Sequence, residues 1–324
     1  MIHLTLPFTA ARPLPFYLSM EEYAARYMAE DDYVFLWQVP PTVIFGRNQL
    51  IENEVNIAYC REHGIQTYRR KSGGGCVYAD MGNIMISYIT HDERVNFTFN
   101  RYINLLALVL CRLGIDAKAT GRNDILIDGR KVSGNAFYHI PGRSIVHGTL
   151  LYDIDMRHMV GSITPSDAKL VSKGVQSVRQ HIALLKDYLT ISIDELKAKI
   201  ISTLCSREVC LDATAVRKIE EIEREYHTEA FIYGSNPRYH ITRRGRIEGV
   251  GEFEIRLELK NNIIKHIDIK GDYLLTGDLN EIEQSLTGQP LTADGLSKAL
   301  PADLDDIIPH LRRDDFIQII LKQE

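Results

Sequence analysis

The sequence lacks the features that would place the protein in a membrane or outside the cell. No apolar run approaches the roughly 18 residues that a membrane-spanning helix needs. Residues 1–15 lack the basic stretch and apolar core of a secretory signal. The five cysteines form no CxxC pair, which argues against a disulfide framework and a zinc site; they are Cys60, Cys76, Cys111, Cys205 and Cys210. We therefore expect a cytoplasmic protein without a membrane partner.

Positive charge is not in excess either. Lysine and arginine number 38, aspartate and glutamate 43, and the formal net charge is −5. This balance gives no electrostatic reason to expect a nucleic-acid partner. The one dense basic cluster, Arg69–Lys71, stands beside glycines and is better explained locally. At 324 residues the chain exceeds the usual size of a single core, so we expect two domains.

Hydrophobic periodicity predicts a mixture of helices and strands. The clearest helix lies at 98–113, where apolar residues recur at helical spacing from Tyr102 to Leu113. Asn53 is the expected N-cap of another helix. The predicted helices cover residues 18–29, 53–62, 98–113, 193–205 and 213–226. The predicted strands cover residues 34–37, 42–45, 66–69, 84–90, 125–127, 131–140 and 144–152.

The pattern changes near residue 230 and predicts a second unit. Residues 251–259 alternate strictly between apolar and charged side chains, and Asn261-Asn262 supplies a hairpin turn into a strand at 263–269. Helical segments are expected at 278–287 and 292–300. A hairpin with helices on one face makes a small α+β unit of roughly 90 residues. The break at Gly234–Pro237 sets the expected domains at 1–230 and 231–324.

The glycine run Gly73-Gly74-Gly75 is the first candidate for a binding site. Three glycines cost folding entropy, and a backbone without Cβ atoms lets a ligand approach closely and can direct N–H groups at an anion. Arg70 nearby could pair with phosphate or carboxylate. The run fits neither a Walker loop nor a dinucleotide-binding fingerprint. A flexible hairpin loop is an equally good interpretation of this segment alone.

A second candidate is the hairpin that joins Asp124 to Lys131. The chain turns at Asp128-Gly129, so the carboxylate and the ammonium could meet at one end of the sheet. A fixed cation stabilises the charge that builds when a carboxylate attacks a phosphate, and Asp124 could help to hold Mg²⁺. An exposed strand lysine and an ordinary turn aspartate are the simpler alternatives. His147, next to Gly148 in an apolar run, could equally be a satisfied core histidine.

Taken together, these segments resemble the lipoate–protein ligase A family. The matching stretches are RRKSGGGCVYADMGN (69–83), GRNDILIDGRKVSG (121–134) and VHGTLL (146–151), in that order. TVIFGRNQ (42–49), EVNIAYCREHGI (54–65), KGVQSVR (173–179) and KGDYL (270–274) support them. The resemblance covers nearly the whole chain. It implies an α/β (α+β) fold: a biotin/lipoate-ligase-like domain with a mixed sheet and a small α+β accessory domain at the C-terminus.

The resemblance also implies a reaction and a set of site residues. Lipoate and ATP, with Mg²⁺, would give lipoyl-AMP and pyrophosphate, and a carrier lysine would then take the lipoyl group. The expected carriers are the E2 subunits of 2-oxoacid dehydrogenases and the glycine-cleavage H protein. The expected nucleotide contacts are Arg70, Gly75, Cys76, Val77, Tyr78, Asn123, Asp124 and Lys131. The expected acyl contacts are Ser72, Gly73, Gly74, Lys131, Ser133, Gly134, His147 and Gly148. Lys131 is the predicted catalytic residue.

The chain departs from the family pattern at two positions. Ala79 and Val146 stand where the pattern has histidine. One hypothesis is an altered acyl pocket or acceptor face that favours octanoate or a variant carrier; harmless drift is the alternative. A rival function is octanoyl transfer through a thioester on Cys76, which would need His147 as base. A non-catalytic lipoate-binding protein is a third interpretation. A biotin ligase is disfavoured because its glycine-rich loop differs from RRKSGGG.

Overall fold

The computed structural model describes residues 1–29, 31–49, 51–91, 94–120, 123–163, 181–232, 241–260 and 263–322. Its helices are α1 Leu14–Tyr27, α2 Ile51–Glu54, α3 Ile57–Glu62, α4 Val95–Arg112, α5 Met156–Ser162, α6 Ile193–Leu204, α7 Ala213–Tyr226, α8 Glu229–Ile232, α9 Leu279–Leu286, α10 Ala293–Ala299 and α11 Arg313–Leu321. Its strands are β1 Ile2–Thr5, β2 Tyr33–Trp37, β3 Thr42–Phe45, β4 Gln66–Arg69, β5 Val77–Ala79, β6 Asn83–Thr90, β7 Ala117–Ala119, β8 Asp124–Ile127, β9 Arg130–Ile140, β10 Arg143–Leu151, β11 Arg207–Cys210, β12 Ile241–Ile247, β13 Gly251–Lys260 and β14 Ile263–Gly271.

An eight-stranded mixed sheet forms the frame of the larger unit. Its strand order is β11-β1-β2-β6-β10-β9-β8-β7. The pairs β11–β1 and β1–β2 are parallel, and the remaining pairs are antiparallel. A second sheet of order β4-β3-β5 carries the segments on either side of the glycine run. The predicted α/β class with a mixed sheet is confirmed.

Helices cover the two faces of the large sheet with separate apolar clusters. On one face, Leu106 and Leu110 of α4 pack in a cluster with Ile86 and Val146. On the other face lies a cluster that contains Trp37 and Met85 of the sheet; its helical members include Leu14, Phe16 and Leu18 of α1 and Ile219 and Tyr226 of α7. The predicted helix at 98–113 therefore exists and packs as its periodicity requires. Within the described residues, no helix has the length and apolar character needed to cross a bilayer.

The smaller unit is a three-stranded antiparallel sheet with helices on one face. Strands β12, β13 and β14 pair in sequence order, with α9, α10 and α11 contributing to one apolar cluster. Phe253, Ile255 and Leu257 are fully buried in it, as the alternation predicted. Strand β12 was not predicted, because Ile241–Ile247 carries three arginines and no clear alternation. The predicted turn Asn261-Asn262 and the boundary segment 234–237 lie outside the described residues, as does 173–179.

Two helix predictions need correction at their starts. The first helix begins at Leu14 rather than at residue 18, because a proline such as Pro15 is tolerated in the first turn, where the backbone N–H has no partner to lose. The helix predicted at 53–62 is two short helices. Val55 lies between them and bridges to Ile163, and the cap is Asn56 rather than Asn53. The Asn56 side chain accepts a hydrogen bond from the Tyr59 amide at 3.1 Å.

Candidate active site

The register of the large sheet assembles two rows of mixed polar and apolar side chains on the face that α1 covers. Trp37 pairs with Met85, Met85 with Thr149, and Thr149 with Gly134. Two positions along, Ser87 pairs with His147, and His147 with Ala136. Paired residues of neighbouring strands project to the same face, and so do residues two apart. These positions extend from Trp37 to Thr149 in the sequence and form a single floor in the fold.

Lys131 and Asp124 meet through the hairpin between β8 and β9. Asp128 and Gly129 both have positive φ, 51° and 73°, as a tight two-residue hairpin turn requires. A register shift between Ile125 and Leu126 brings the two side chains together, and Lys131 Nζ lies 2.8 Å from Asp124 Oδ1. The predicted meeting of these two charges is confirmed.

The Lys131 side chain runs along its own strand and lies over Gly134. A Cβ atom at residue 134 would stand 2.9 Å from Lys131 Cε and 3.0 Å from Nζ, closer than real side chains approach. Glycine at this position therefore leaves the groove through which the lysine reaches the floor. The motif KVSG thus has a geometric reason: a side chain three places after the lysine would displace the lysine ammonium from its position beside Asp124.

Arg70 shapes the glycine run from inside. Its guanidinium donates to the carbonyls of Gly73 (2.7 Å), Gly75 (2.8 Å) and Ile44 (3.1 Å) and to the Ser72 hydroxyl (2.9 Å). Burial lowers the pKa of Arg70 to about 10, which leaves it charged near neutral pH. In this conformation the arginine is thus committed to the loop backbone. The sequence alone suggested a free donor for phosphate or carboxylate.

The KGDYL segment of the smaller unit docks on the glycine run. The Gly74 amide donates to the Tyr273 carbonyl at 2.8 Å, and the Gly271 amide donates to the Asn48 carbonyl at 2.6 Å. Leu274 is buried and belongs to the same apolar cluster as α4. The Gly74 N–H is therefore used by the protein itself rather than directed at an anion, which differs from the expectation for an anion cradle.

We expect Gly73→Ala to separate this segment from the glycine run. The new Cβ would stand 2.7 Å from the Tyr273 carbonyl oxygen and 3.1 Å from the Leu275 amide nitrogen. Both are backbone atoms, so the segment must move and the unfolding free energy should fall by about 1–3 kcal/mol. Urea denaturation and hydrogen exchange of the Gly74 amide measure the change.

Gly75→Ala is the matched control for an added methyl group. Its Cβ would find its nearest neighbour, Asp272 Cβ, at 3.7 Å, an ordinary contact. We expect this variant to keep the stability and the amide protection of the parent protein. If Gly73→Ala behaves like Gly75→Ala, the docking described above is not the arrangement in solution.

His147 is both buried and fully hydrogen-bonded. Its Nε2 lies 2.7 Å from the Ser72 hydroxyl, and its Nδ1 lies 3.0 Å from both carboxylate oxygens of Glu21. It thus fits the description of a satisfied buried histidine, and it also lines the cavity described next. The two alternatives that the sequence left open are therefore not exclusive.

A cavity of about 110 Å³ lies between the floor, helix α1 and the glycine run. The predicted site residues that line it are Arg70, Gly74, Gly75, Cys76, Val77, Asn123, Lys131, Gly134, His147 and Gly148. Other predicted residues lie behind the wall. Ser72 and Ser133 are fully buried, and Tyr78 packs in a separate cluster with Val43 and Phe45. Asp124 reaches the site through its ion pair with Lys131.

Part of the lining was not predicted from the sequence. These residues are Leu14, Leu18, Trp37, Ile44, Met85, Asn135, Ala136 and Thr149. They lie outside the glycine and lysine motifs. What they share is that the packed fold brings them to the same cavity. The signals in the sequence were indirect: Ile44 and Thr149 lie inside matched family motifs, and Trp37 is the single tryptophan and ends a strand.

Two family models match the chain. The model described as lipoyl protein ligase A/B catalytic domain matches residues 14–205, which is more than half of the chain. The model described as bacterial lipoate protein ligase C-terminus matches residues 236–320. The chain belongs to the lipoate–protein ligase family.

Relatives of this ligase support the assignment over most of its length. Lipoate-protein ligase LplJ of Bacillus subtilis is 32% identical over 316 residues, covering 94% of this chain and 95% of the relative. Lipoate–protein ligase 1 of Staphylococcus aureus is 35% identical over 280 residues, covering 84% and 85%. The predicted family and the predicted ligase activity are confirmed.

Solved structures show that the fold is shared. The P. falciparum LipL1 structure in complex with lipoate superposes with a TM-score of 0.81 at 19% identity, covering 100% of this chain and 99% of that one. A bipartite lipoate protein ligase from Thermoplasma acidophilum, described with its E2 lipoyl domain as an archaeal lipoylation system, has a TM-score of 0.66 at 24% identity, covering 74% and 99%. A lipoate–protein ligase A bound with ATP has a TM-score of 0.62 at 23% identity, covering 72% and 98%.

The two departures of this ligase from the family pattern lie in its core. Ala79 is fully buried in the cluster beneath α1, and Val146 is fully buried in the cluster beneath α4. Neither is among the described residues that line the cavity. An effect on the acyl substrate would therefore have to pass through neighbouring side chains, so the hypothesis of an altered pocket receives no direct support from the geometry.

Proposed function

We propose that this ligase activates lipoate with ATP to lipoyl-AMP and then transfers the lipoyl group to a lysine of a carrier domain. The observation that carries the proposal is the position of Lys131. Its ammonium stands beside Asp124 and Gly134, at the polar end of a cavity that is otherwise lined largely by apolar side chains. The chemistry of this lining, a cation beside apolar side chains, suits a carboxylic acid with a long apolar tail.

In the first step a carboxylate oxygen of lipoate attacks the α-phosphorus of ATP. A phosphorus–oxygen bond forms to the acyl group, the bond to the β-phosphate bridge breaks, and pyrophosphate leaves. Negative charge grows on the phosphate oxygens, and the Lys131 ammonium stabilises it from a fixed position. In the second step the carrier amine attacks the acyl carbonyl carbon and AMP leaves. Lys131, near both reacting groups, is the proposed catalytic residue for this step too.

The remaining roles follow from the matches between this sequence and the family motifs. For the nucleotide we propose Arg70, Gly75, Cys76, Val77, Tyr78, Asn123, Asp124 and Lys131. For the acyl group we propose Ser72, Gly73, Gly74, Lys131, Ser133, Gly134, His147 and Gly148. Ser72, Ser133 and Tyr78, being buried behind the wall, would act by holding the residues in front of them. The structures of relatives with lipoate and with ATP support both substrates.

Mg²⁺ is part of the proposal, held by Asp124 together with phosphate oxygens of the nucleotide. Among the described residues, no three His, Cys, Asp or Glu side chains converge as a metal site. A single carboxylate is nevertheless sufficient, because Mg²⁺ keeps several waters and usually binds one or two carboxylates plus substrate phosphates. The ion would neutralise charge on the departing pyrophosphate.

We also propose the carriers and the location of this ligase. The archaeal ligase whose lipoylation system includes an E2 lipoyl domain supports a lipoyl domain of that class as acceptor. The glycine-cleavage H protein is the second candidate, and octanoate is an alternative acid. We also propose residence in the cytoplasm, in keeping with five scattered cysteines that are unpaired.

We propose further that the catalytic domain spans residues 1–230 and the accessory domain residues 231–324. The family model of the catalytic domain ends at residue 205. Helix α7 supports a longer catalytic domain, because its Ile219 and Tyr226 pack in the same apolar cluster as α1. Expression of residues 1–230 alone, followed by thermal unfolding, would test the division. A cooperative transition supports it, and aggregation or the absence of a transition would contradict it.

An acylation assay with purified protein tests the function. Lipoate or octanoate is offered with ATP and with several carriers, and the products are read by pyrophosphate release and intact mass. We expect lipoate- and ATP-dependent pyrophosphate release and a mass increase on a carrier lysine. Binding of lipoate without pyrophosphate release would favour a non-catalytic lipoate-binding protein. A clear preference for octanoate would revive the hypothesis based on Ala79 and Val146.

The Cys76→Ser variant distinguishes adenylate chemistry from octanoyl transfer through a thioester. Burial raises the pKa of the Cys76 thiol well above its usual value, which opposes a reactive thiolate. Both nitrogens of His147 are already engaged, with Ser72 and Glu21, so His147 is not available as its base. We therefore expect full ATP-dependent activity in Cys76→Ser, measured by intact mass of the carrier.

Cys60→Ser serves as the control for that experiment. Cys60 is fully buried in the neighbouring cluster, so its replacement reports on packing alone. Loss of transfer in Cys76→Ser with normal transfer in Cys60→Ser would instead support the thioester route.

A further inference from the structure

Glu21 is a buried carboxylate outside every motif that the sequence analysis used. It lies in α1, has no exposed surface and stands behind two side chains that line the cavity, His147 and Trp37. Burying an ionised carboxylate is unfavourable unless donors surround it. The donors around Glu21 therefore indicate what the residue does.

Three donors converge on this carboxylate. The Ser87 hydroxyl donates to Oε1 at 2.6 Å, His147 Nδ1 lies 3.0 Å from both oxygens, and the Tyr138 hydroxyl approaches Oε2 at 3.5 Å. A carboxylate only accepts, and its two oxygens have room for all three donors. No neutral side chain of similar shape has this capacity.

One branch of the network sets the tautomer of His147. Arg70 Nε can only donate, and it donates to the Ser72 hydroxyl oxygen at 2.9 Å. The Ser72 proton is then free to point at His147 Nε2, 2.7 Å away, which makes Nε2 the acceptor. The imidazole proton accordingly resides on Nδ1 and is donated to Glu21. The ring is thus held between an arginine at one end and a carboxylate at the other.

The second branch sets the orientation of Trp37. Its indole Nε1–H donates to the Ser87 hydroxyl oxygen at 2.9 Å, and the Ser87 hydroxyl in turn donates a hydrogen bond to Glu21. Trp37 also stacks on Tyr17 of α1, with ring centroids 4.8 Å apart. Stacking restrains the plane of the indole, and the hydrogen bond restrains its rotation within that plane.

We propose that Glu21 is a positioning residue for the acyl half of the site. The buried carboxylate of Glu21 orients His147 directly and Trp37 through Ser87. The positions of two side chains that line the cavity therefore depend on Glu21, which lies outside the lining and touches no substrate. The inference rests on the proposed function insofar as it concerns the acyl substrate. Its consequence is specific: weakening the network should lower affinity for the acid and leave the nucleotide half unaffected.

Glu21→Gln tests the proposal. Glutamine keeps the shape but has one oxygen, so its NH₂ group faces either Ser87 or His147, where a donor already points. The unpaired buried donor disturbs both side chains, so we expect KM for lipoate to rise about 10- to 100-fold, equivalent to about 1.4–2.8 kcal/mol. KM for ATP should stay within about twofold, a split that general destabilisation would not produce.

Two spectroscopic readouts report the positions directly and need no catalysis. Trp37 is the single tryptophan, so the protein has one indole ¹⁵N–¹H resonance. We expect that resonance to shift in Glu21→Gln, and the ¹⁵N shifts of His147 to show loss of a single Nδ1–H tautomer. Unchanged indole and imidazole signals, together with an unchanged KM for lipoate, would overturn the proposal.

Glu22→Gln is the matched control. Glu22 is the next residue of α1 and equally buried, but it accepts from Tyr226 (2.6 Å) and pairs with Lys71 (2.8 Å) on the side of α7. It should lower stability as much as Glu21→Gln while leaving the indole resonance and KM for lipoate unchanged. If both variants raise KM for lipoate equally, Glu21 has no special positioning role.

Ser87→Ala keeps the proposal testable if Glu21→Gln does not fold. It removes only the Trp37 branch, so the indole resonance should shift and KM for lipoate should rise, while the His147 tautomer persists. An unmoved indole resonance would contradict the proposed branch. Failure of the proposed function is recognised separately, because the parent protein would then release no pyrophosphate with lipoate and ATP, whereas the spectroscopic readouts would still decide the positioning.

Discussion

Lys131→Ala is expected to abolish formation of the acyl-adenylate. Nothing else in the described lining supplies a flexible cation beside Gly134, since Arg70 is committed to the carbonyls of the glycine run. Removing one preorganised group that stabilises transition-state charge typically costs about 100- to 1000-fold. Because the same ammonium would serve both phosphate and acyl carbonyl, we expect a loss at the upper end of that range. Pyrophosphate release with lipoate and ATP measures it.

Two additions make the Lys131 experiment decisive. Supplying preformed lipoyl-AMP bypasses the first step, so slow transfer by Lys131→Ala would show that the lysine also serves the second. Lys118→Ala is the matched control, since Lys118 in β7, two strands from Lys131 in β9, also pairs with an aspartate, Asp116 at 2.9 Å, but is largely exposed. It should retain normal activity. Normal pyrophosphate release by Lys131→Ala would refute the assignment of the catalytic residue.

Arg70→Lys is expected to damage both stability and the shape of the glycine run. Lysine offers three donors on one nitrogen and cannot reach the carbonyls of Ile44, Gly73 and Gly75 at once. Leaving buried carbonyls without partners costs about 1–3 kcal/mol each, and we expect a total loss of about 3–5 kcal/mol in unfolding free energy. A displaced loop should also reduce adenylation about 100-fold. Urea denaturation and pyrophosphate release measure the two effects.

Arg143→Lys separates these two effects. Arg143 is likewise buried and donates to the backbone carbonyls of Met28, Ala29 and Asp31, but it lies at the opposite end of β10 from Leu151 and does not line the cavity. We expect a comparable loss of stability with normal activity per folded molecule. Equal activity losses in the two variants would show that Arg70 acts only through overall stability.

Local sequence was sufficient wherever the relevant partners are close in the chain. The Asp124–Lys131 pair was predicted because a two-residue turn at Asp128-Gly129 joins the strands that carry it. The helix at Val95–Arg112 and the burial of Phe253, Ile255 and Leu257 followed from periodicity in the same way. The order of the glycine, lysine and histidine motifs was enough to predict the family.

Partners far apart in the chain were not accessible to that reasoning. Glu21 and His147 are 126 positions apart, and Ser72 and His147 are 75 apart. Nothing local distinguishes Glu21, which contacts the site, from Glu22, which contacts α7. The commitment of Arg70 to the loop carbonyls was also missed, because the side chain of an arginine shows no preference for backbone over phosphate until the loop is folded around it.

The sequence by itself determined the chemistry: a lysine cation, an aspartate beside it and a glycine run, in an order that belongs to lipoate–protein ligases. Only the tertiary structure decided how these groups are held. The register of four strands places Trp37, Met85, Thr149 and Gly134 in one row. Helix α1 brings Glu21 into contact with Ser87 and His147 of the other row, and the Gly74 amide donates to the Tyr273 carbonyl of the KGDYL segment. The reason is physical: burial and hydrogen-bond partners belong to contacts between distant segments, and these contacts exist only once the sheet and helix are packed.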